Sequence, residues 1–243
     1  MTCLARPTTV FTTFFTLLSI SQACQAKVFT SLFPLALASH ISLHPVFLLP
    51  PMILLTYDRI CLEADEAAAL NPEPEPKSPP GKPTALELIK DGPQRAVDYL
   101  IPYFVCFLLP IALSRFLVPS WNFVESLYLT PLSLPDLTPN PGLWWYFFIE
   151  LFDPFRNFFL GVFWLHMFAY SIPLCLKFQR QPLAAVVLML GVTAVFQPYA
   201  NIGDAGTWLS ALCLLSHDIE RKLLHSSLTL RAKLLLTLFP VMQ

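Results

Sequence analysis

The sequence predicts an all-α protein, a polytopic bundle of transmembrane helices, several of them short and broken. Three observations predict it. Of 243 residues, 55% are hydrophobic and 13% charged, about half of the roughly 25% charge found in soluble domains. The charges are also gathered in one place: of the 15 basic and 16 acidic residues, 13 fall between Asp58 and Arg95. What remains forms apolar runs near the ~20 residues that cross a bilayer, interrupted by many of the 24 prolines. Seven glycines, no heptads, no basic block and a net charge of −1 exclude collagen, coiled coil and a nucleic-acid partner. The cysteines (Cys3, Cys24, Cys61, Cys106, Cys175, Cys213) are scattered without a C-x-x-C pair. They read as small apolar residues rather than a disulfide framework.

The elements follow in order. Residues 10–20, extended to 8–26, form a first apolar stretch rich in Thr and Ser, whose hydroxyls bond back to a helix backbone. After Lys27, residues 28–55 are apolar but carry Pro34, Pro45, Pro50 and Pro51, and proline ends or kinks helices. They predict two short spans, 28–39 and 45–55, joined at 39–44. Broken helices survive at membrane depth only where protein or a polar cavity covers their freed backbone groups, so this part of the chain is expected to border a cavity. Residues 58–96 read as a cytosolic linker, with a short helix over 62–70. Its stretch 71–83 holds six prolines and several charges and cannot bury enough apolar surface to fold. Further spans are predicted at 99–118, 155–176, 183–196 and 205–215. A last one at 223–241 contains His225, Arg231 and Lys233, and either lies in the interface or snorkels its cations. The organisation is thus a membrane domain over 1–57, the linker over 58–96, and a second membrane domain over 97–243 with a loop at 119–143.

Lys and Arg orient the loops. Lys27, the linker (Arg59, Lys77, Lys82, Lys90, Arg95), the pair Lys177 and Arg180, and the pair Arg221 and Lys222 are basic, whereas 119–144 and 197–204 carry no Lys or Arg. The two kinds alternate if residues 28–55 cross twice. This puts the linker in the cytosol and the loops 119–143 and 197–204 on the far side.

The far-side loop is the most distinctive segment. Pro135, Pro139 and Pro141 stiffen it, and Asp136 and Asn140 suit turns and caps. A short helix over 143–152 follows, with Trp145, Phe148 and Phe152 near one face and Glu150 near Tyr146 and Phe147. The aromatic run Trp144, Trp145, Tyr146, Phe147 and Phe148 reads either as an interfacial belt or as a lipid-facing wall at a cavity mouth. From Pro135 to Phe152 the chain is similar to the pattern P-D-L-T-P-N-x-G-L-x-W-Y-F-F-x-E-x-F of the PIG-U family. Residues 170–173, Pro182 and 198–204 resemble that family too. The resemblance covers most of the chain outside the linker.

It implies a GT-C-like helical scaffold, a place in the endoplasmic reticulum membrane as a multi-pass protein, and a noncatalytic role as a subunit of GPI transamidase. The implied partners are the other transamidase subunits, including a caspase-like one that holds the Cys–His pair, and the GPI lipid. Family members extend well upstream of Cys3 and downstream of Val241, so a truncated member is expected. The residues expected to meet the lipid are Asp136, Thr138, Asn140, Trp144, Trp145, Tyr146, Phe147, Phe148, Glu150 and Phe152: rings for acyl or glycerol groups, polar groups for the headgroup.

Other chemistry is weaker. Asp136, Glu150, Asp153 and Asp204 are the far-side carboxylates; intramembrane acids often serve function, and Glu150 and Asp153, if one helical turn apart, would cap a helix or hold a cation. His40 and His44 have the i, i+4 spacing of a metal pair, but Pro45 disfavours helix at His44. No P-loop, G-x-S-x-G or H-E-x-x-H occurs, and neither a metal nor a cofactor is predicted. The alternative of another class is a GT-C-type mannosyltransferase acting on lipid-linked sugars, which paired acids in a preceding far-side loop would favour. A transporter would need paired repeats, and the sequence has none.

Overall fold

The computed structural model describes residues 8–70, 92–118, 120–135, 137 and 139–215. The proline-rich stretch 71–83, the span at 223–241, Asp136 and Thr138 lie outside the described residues. Within them the protein is all-α, with no strand. The main helices are α1 (Thr9–Cys24), α2 (Val28–Ile41), α3 (Leu49–Leu70), α4 (Gly92–Leu117), α5 (Leu143–Glu150), α6 (Arg156–Lys177), α7 (Pro182–Phe196) and α8 (Ile202–Leu212). A 3-10 turn, His44–Leu48, leads into α3. Between α4 and α5 the chain makes short helical turns at Asn122–Val124 and Thr130–Ser133 around a π-helical turn, Glu125–Leu129.

Proline governs the N-terminal helices as expected, though not at every position. Pro34 sits inside α2, and the break comes instead at Ser42, whose backbone is extended. Pro45 occupies the start of the 3-10 turn, and Pro50 and Pro51 fall in the first turn of α3, where a missing N–H leaves no bond unmade. The second span is longer than the 45–55 read from sequence. Helix α3 runs through Asp58 and Arg59 to Leu70, and His44–Ala67 is 24 residues long. The reason is local. Residues 57–70 are rich in Ala, Leu and Glu, all strong helix formers, so charge takes the helix out of the apolar layer without ending it.

Among the described residues, three helical stretches are long and apolar enough to cross a membrane: His44–Ala67, Val97–Leu117 and Asp153–Lys177. Around them lie shorter apolar helices of 16, 14, 15 and 11 residues. A 15-residue helix such as α7 is only about 22 Å long, against the ~30 Å of a hydrocarbon core. Helix α7 is apolar on all sides and buries nine residues, from Pro182 through Val186 and Met189 to Thr193; a helix of that kind belongs inside a bundle. It packs against α3, α6 and α8. Gly191 makes the α8 contact possible, since a Cβ there would meet the Trp208 indole at 2.5 Å. Helices α1 and α2 form an antiparallel pair, and α4 leans on α2.

The turns without Lys or Arg meet at one end of this bundle. Asn201 Nδ2 donates to Thr9 Oγ1 at 3.2 Å, and His40 Nδ1 lies 2.9 Å from Tyr128 Oη. Burial pushes the Tyr128 phenol up to about 12.

Candidate functional site

The site begins with the loop at that end of the bundle. Its entry is fixed at Leu134, which takes a left-handed backbone (φ 46°) and buries its side chain in the core. A branched residue before proline adopts this conformation only when packing holds it there. Arg156, at the start of α6, donates from Nη2 to the Leu134 carbonyl. The exit is fixed by Asn140, whose Oδ1 accepts from the Gly142 N–H at 2.9 Å and whose Nδ2 donates to the Pro198 carbonyl at 3.5 Å. Gly142 is pressed so close to Ala200 that an added Cβ would stand 2.7 Å from the alanine Cβ. The loops 119–143 and 197–204 therefore lock together.

Helix α5 then presents two unlike faces. Trp144 is 0% exposed; its Nε1 donates to the Phe196 carbonyl, and its ring meets Phe163 at 5.1 Å and Trp164 at 5.8 Å between centroids. Phe148 is also buried and packs on Phe163 at 5.6 Å, with half-buried Phe147 against Phe159 and Phe163. On the outer face Tyr146 is 64% exposed, with Leu143 and Ile149 also exposed and Trp145 half-buried, and just beyond the helix Phe152 is 78% exposed.

The sequence grouped Trp145, Phe148 and Phe152 on one face. The structure instead groups Trp144 with Phe148 inside and leaves Phe152 beyond the helix. Proline explains the end of α5. The ring of Pro154 would collide with the Glu150 carbonyl in a continued helix, so Leu151 and Phe152 are extended. The same break takes Glu150 and Asp153 off a shared helical turn. Glu150 is exposed at the end of α5. His40 and His44 are also apart in role: His40 faces Tyr128, and His44 enters the recess described next. Among the described residues no group of three or more metal-ligating acids, His or Cys occurs.

A second polar feature, which the sequence did not single out, lies beside the loop. A small recess of about 30 Å³ sits between α1, the 3-10 turn, α7 and α8. Thr16, His44, Thr193, Gln197, Asp204 and Thr207 line it, together with Thr12, whose buried hydroxyl has no hydrogen-bond partner among the described residues. Gln197 Nε2 donates to Asp204 Oδ2 at 2.5 Å across the turn between α7 and α8. The signal available in sequence was the threonine spacing of α1. Thr12 and Thr16 lie on one helix face, and Thr16 Oγ1 donates to the Thr12 carbonyl at 2.7 Å.

Long apolar helices around a short, largely buried one, with polar groups collected at one end, define a helical membrane protein. The family described as GPI transamidase subunit PIG-U matches residues 1–243, and the chain belongs to that family. It is 29% identical over 217 residues to the mouse GPI-anchor transamidase component PIGU, covering 89% of this chain and 45% of that protein. It is 38% identical over 120 residues to the human GPI-anchor transamidase component PIGU, covering 49% of this chain and 28% of that protein. A GPI transamidase component of Saccharomyces cerevisiae is 27% identical over 216 residues, covering 87% of this chain and 46% of that protein. The chain thus spans about half the length of the mouse and yeast relatives it matches.

Proposed function

We propose that the chain is part of a noncatalytic subunit of GPI transamidase, in the endoplasmic reticulum membrane, that helps bind the GPI lipid and present it to a caspase-like subunit on the lumenal side. The family match supports the complex. The observation that supports lipid contact is the split of α5: a buried inner face of Trp144 and Phe148 carries an outer face with Tyr146 and Ile149 exposed, and exposed Phe152 follows just before the apolar stretch Asp153–Lys177. Such rings offer broad apolar contact at small rotamer loss. Asn140 holds the loop against Pro198, and exposed Glu150 is available to headgroup hydroxyls or amines. Asp136 and Thr138 stay in the proposal as loop residues on the same path. The loop 119–143 is lumenal and the segment 58–96 cytosolic in this reading, in keeping with the distribution of Lys and Arg.

The test is to express the full-length protein that carries this chain, with an affinity tag, in cells lacking their own PIG-U subunit. The expected outcome is co-purification of the other transamidase subunits and return of a GPI-anchored reporter to the cell surface. A full-length protein that inserts in the membrane but captures no transamidase subunit would overturn the proposal.

A further inference from the structure

The recess between α1, α7 and α8 has an unusual balance of hydrogen-bonding groups. Four of its side-chain donors are already engaged, whereas the Thr12 hydroxyl has no partner among the described residues and the His44 imidazole also lines the recess. Thr16 Oγ1 donates to the Thr12 carbonyl at 2.7 Å, Thr193 Oγ1 to Leu190 at 2.9 Å, and Thr207 Oγ1 to Gly203 at 2.8 Å. Gln197 Nε2 donates to Asp204. A threonine hydroxyl has one donor and two lone pairs, so spending the donor on the backbone leaves acceptors. The lining therefore offers chiefly hydroxyl oxygens, the Gln197 carbonyl, the His44 ring and a carboxylate, with no Lys or Arg among its residues. Thr12 adds an independent observation: it is 3% exposed, lines the recess, and its Oγ1 has no partner among the described residues. A buried hydroxyl left alone is costly, and a ligand that reaches it removes that cost.

Acceptors with one acid and no fixed cation select a ligand that brings donors and positive charge. A phosphate would face the Asp204 carboxylate with no Lys or Arg in the lining to offset the repulsion. An ammonium supplies three donors and pairs with the carboxylate. The apolar parts of the wall (Pro45, Leu48, Leu190, Ala194) and the position at the end of the bundle that carries the loops suit a molecule anchored in the bilayer. We infer that this recess binds the primary-ammonium end of a lipid headgroup, with Asp204 as its counter-ion and the threonine oxygens of α1, α7 and α8 as its acceptors. The inference deepens the function proposed above and rests on it only for which lipid is held.

The test uses the full-length protein reconstituted in phosphatidylcholine nanodiscs, so that it does not depend on transamidase assembly. Two photoactivatable probes are compared, a phosphatidylethanolamine and its N-acetyl derivative, which lacks the charge and two of the donors. The expected result is severalfold stronger labelling by the free amine, with peptides of α1 or α8 among the labelled products. Asp204→Asn, which keeps the shape and can still accept from Gln197, should bring amine labelling down to the N-acetyl level. Thr193→Val should lower it about twofold, and it carries the test if Asp204→Asn shifts the melting temperature. Equal labelling by the two probes, or amine labelling unchanged in a well-folded variant, overturns the inference. So does loss of labelling when sodium replaces choline in the buffer, which would assign the acceptors to a metal ion. Failure here with transamidase subunits still captured rejects the recess alone, whereas failed capture rejects the function.

Discussion

Trp144 and Tyr146 stand two residues apart on α5, and their surroundings are opposite. Trp144 has no exposed surface, hydrogen-bonds the end of α7 and touches three other aromatic rings. Tyr146 is 64% exposed, and among the described residues its one ring contact is edge-on with its neighbour Trp145. An aromatic run of one composition thus divides into a part that holds the loop and a part that is free to meet something else. In a membrane protein an exposed ring is no anomaly, because lipid covers it. What sets this outer face apart is its support: the inner rings and the two locked loops fix it relative to the bundle core.

This comparison breaks most visibly from the inside. Trp144→Ala removes a fully buried ring and the donor to Phe196, and the loss of a buried aromatic typically costs ~3–5 kcal/mol. Thermal unfolding of the purified protein should show a large fall in melting temperature, with reduced accumulation in cells. A melting temperature equal to that of the parent would mean that the inner face does not support the loop.

A smaller effect is expected one layer further in. Gly191→Val pushes a side chain into the Trp208 indole, which already lies 2.5 Å from the position of an added Cβ. Overpacking of this kind costs roughly 1–3 kcal/mol. Helix α8 should be displaced, and protease protection of the turn between α7 and α8 should fall, while the anchor of α5 on Phe196 remains.

Much of the fold was legible because composition and proline act locally. The apolar runs mark the helices, and the prolines mark the irregular entry to α3. The length of α3 was less legible, because charge at Asp58 and Arg59 signals departure from lipid and says nothing about the end of a helix. The face of α5 could not be read from residues 143–150, which contain no polar residue before Glu150 to break the symmetry of two helical turns. Its orientation comes from partners far away in the chain, Phe196 and Phe163. The recess was hidden for the same reason: its walls come from Thr16, His44, Thr193 and Asp204, four places that no local pattern connects.

The most direct test of the division of α5 is the double substitution Tyr146→Ala and Phe152→Ala in the full-length protein. Both side chains are exposed, and surface changes of this kind usually stay within about 0.5 kcal/mol of the parent stability. Capture of the other transamidase subunits and GPI transfer to a reporter protein would be measured on the same preparation. The account predicts normal subunit ratios with transfer reduced severalfold. Normal ratios with normal transfer would contradict it, and would leave the outer face of α5 as a surface that lipid merely covers.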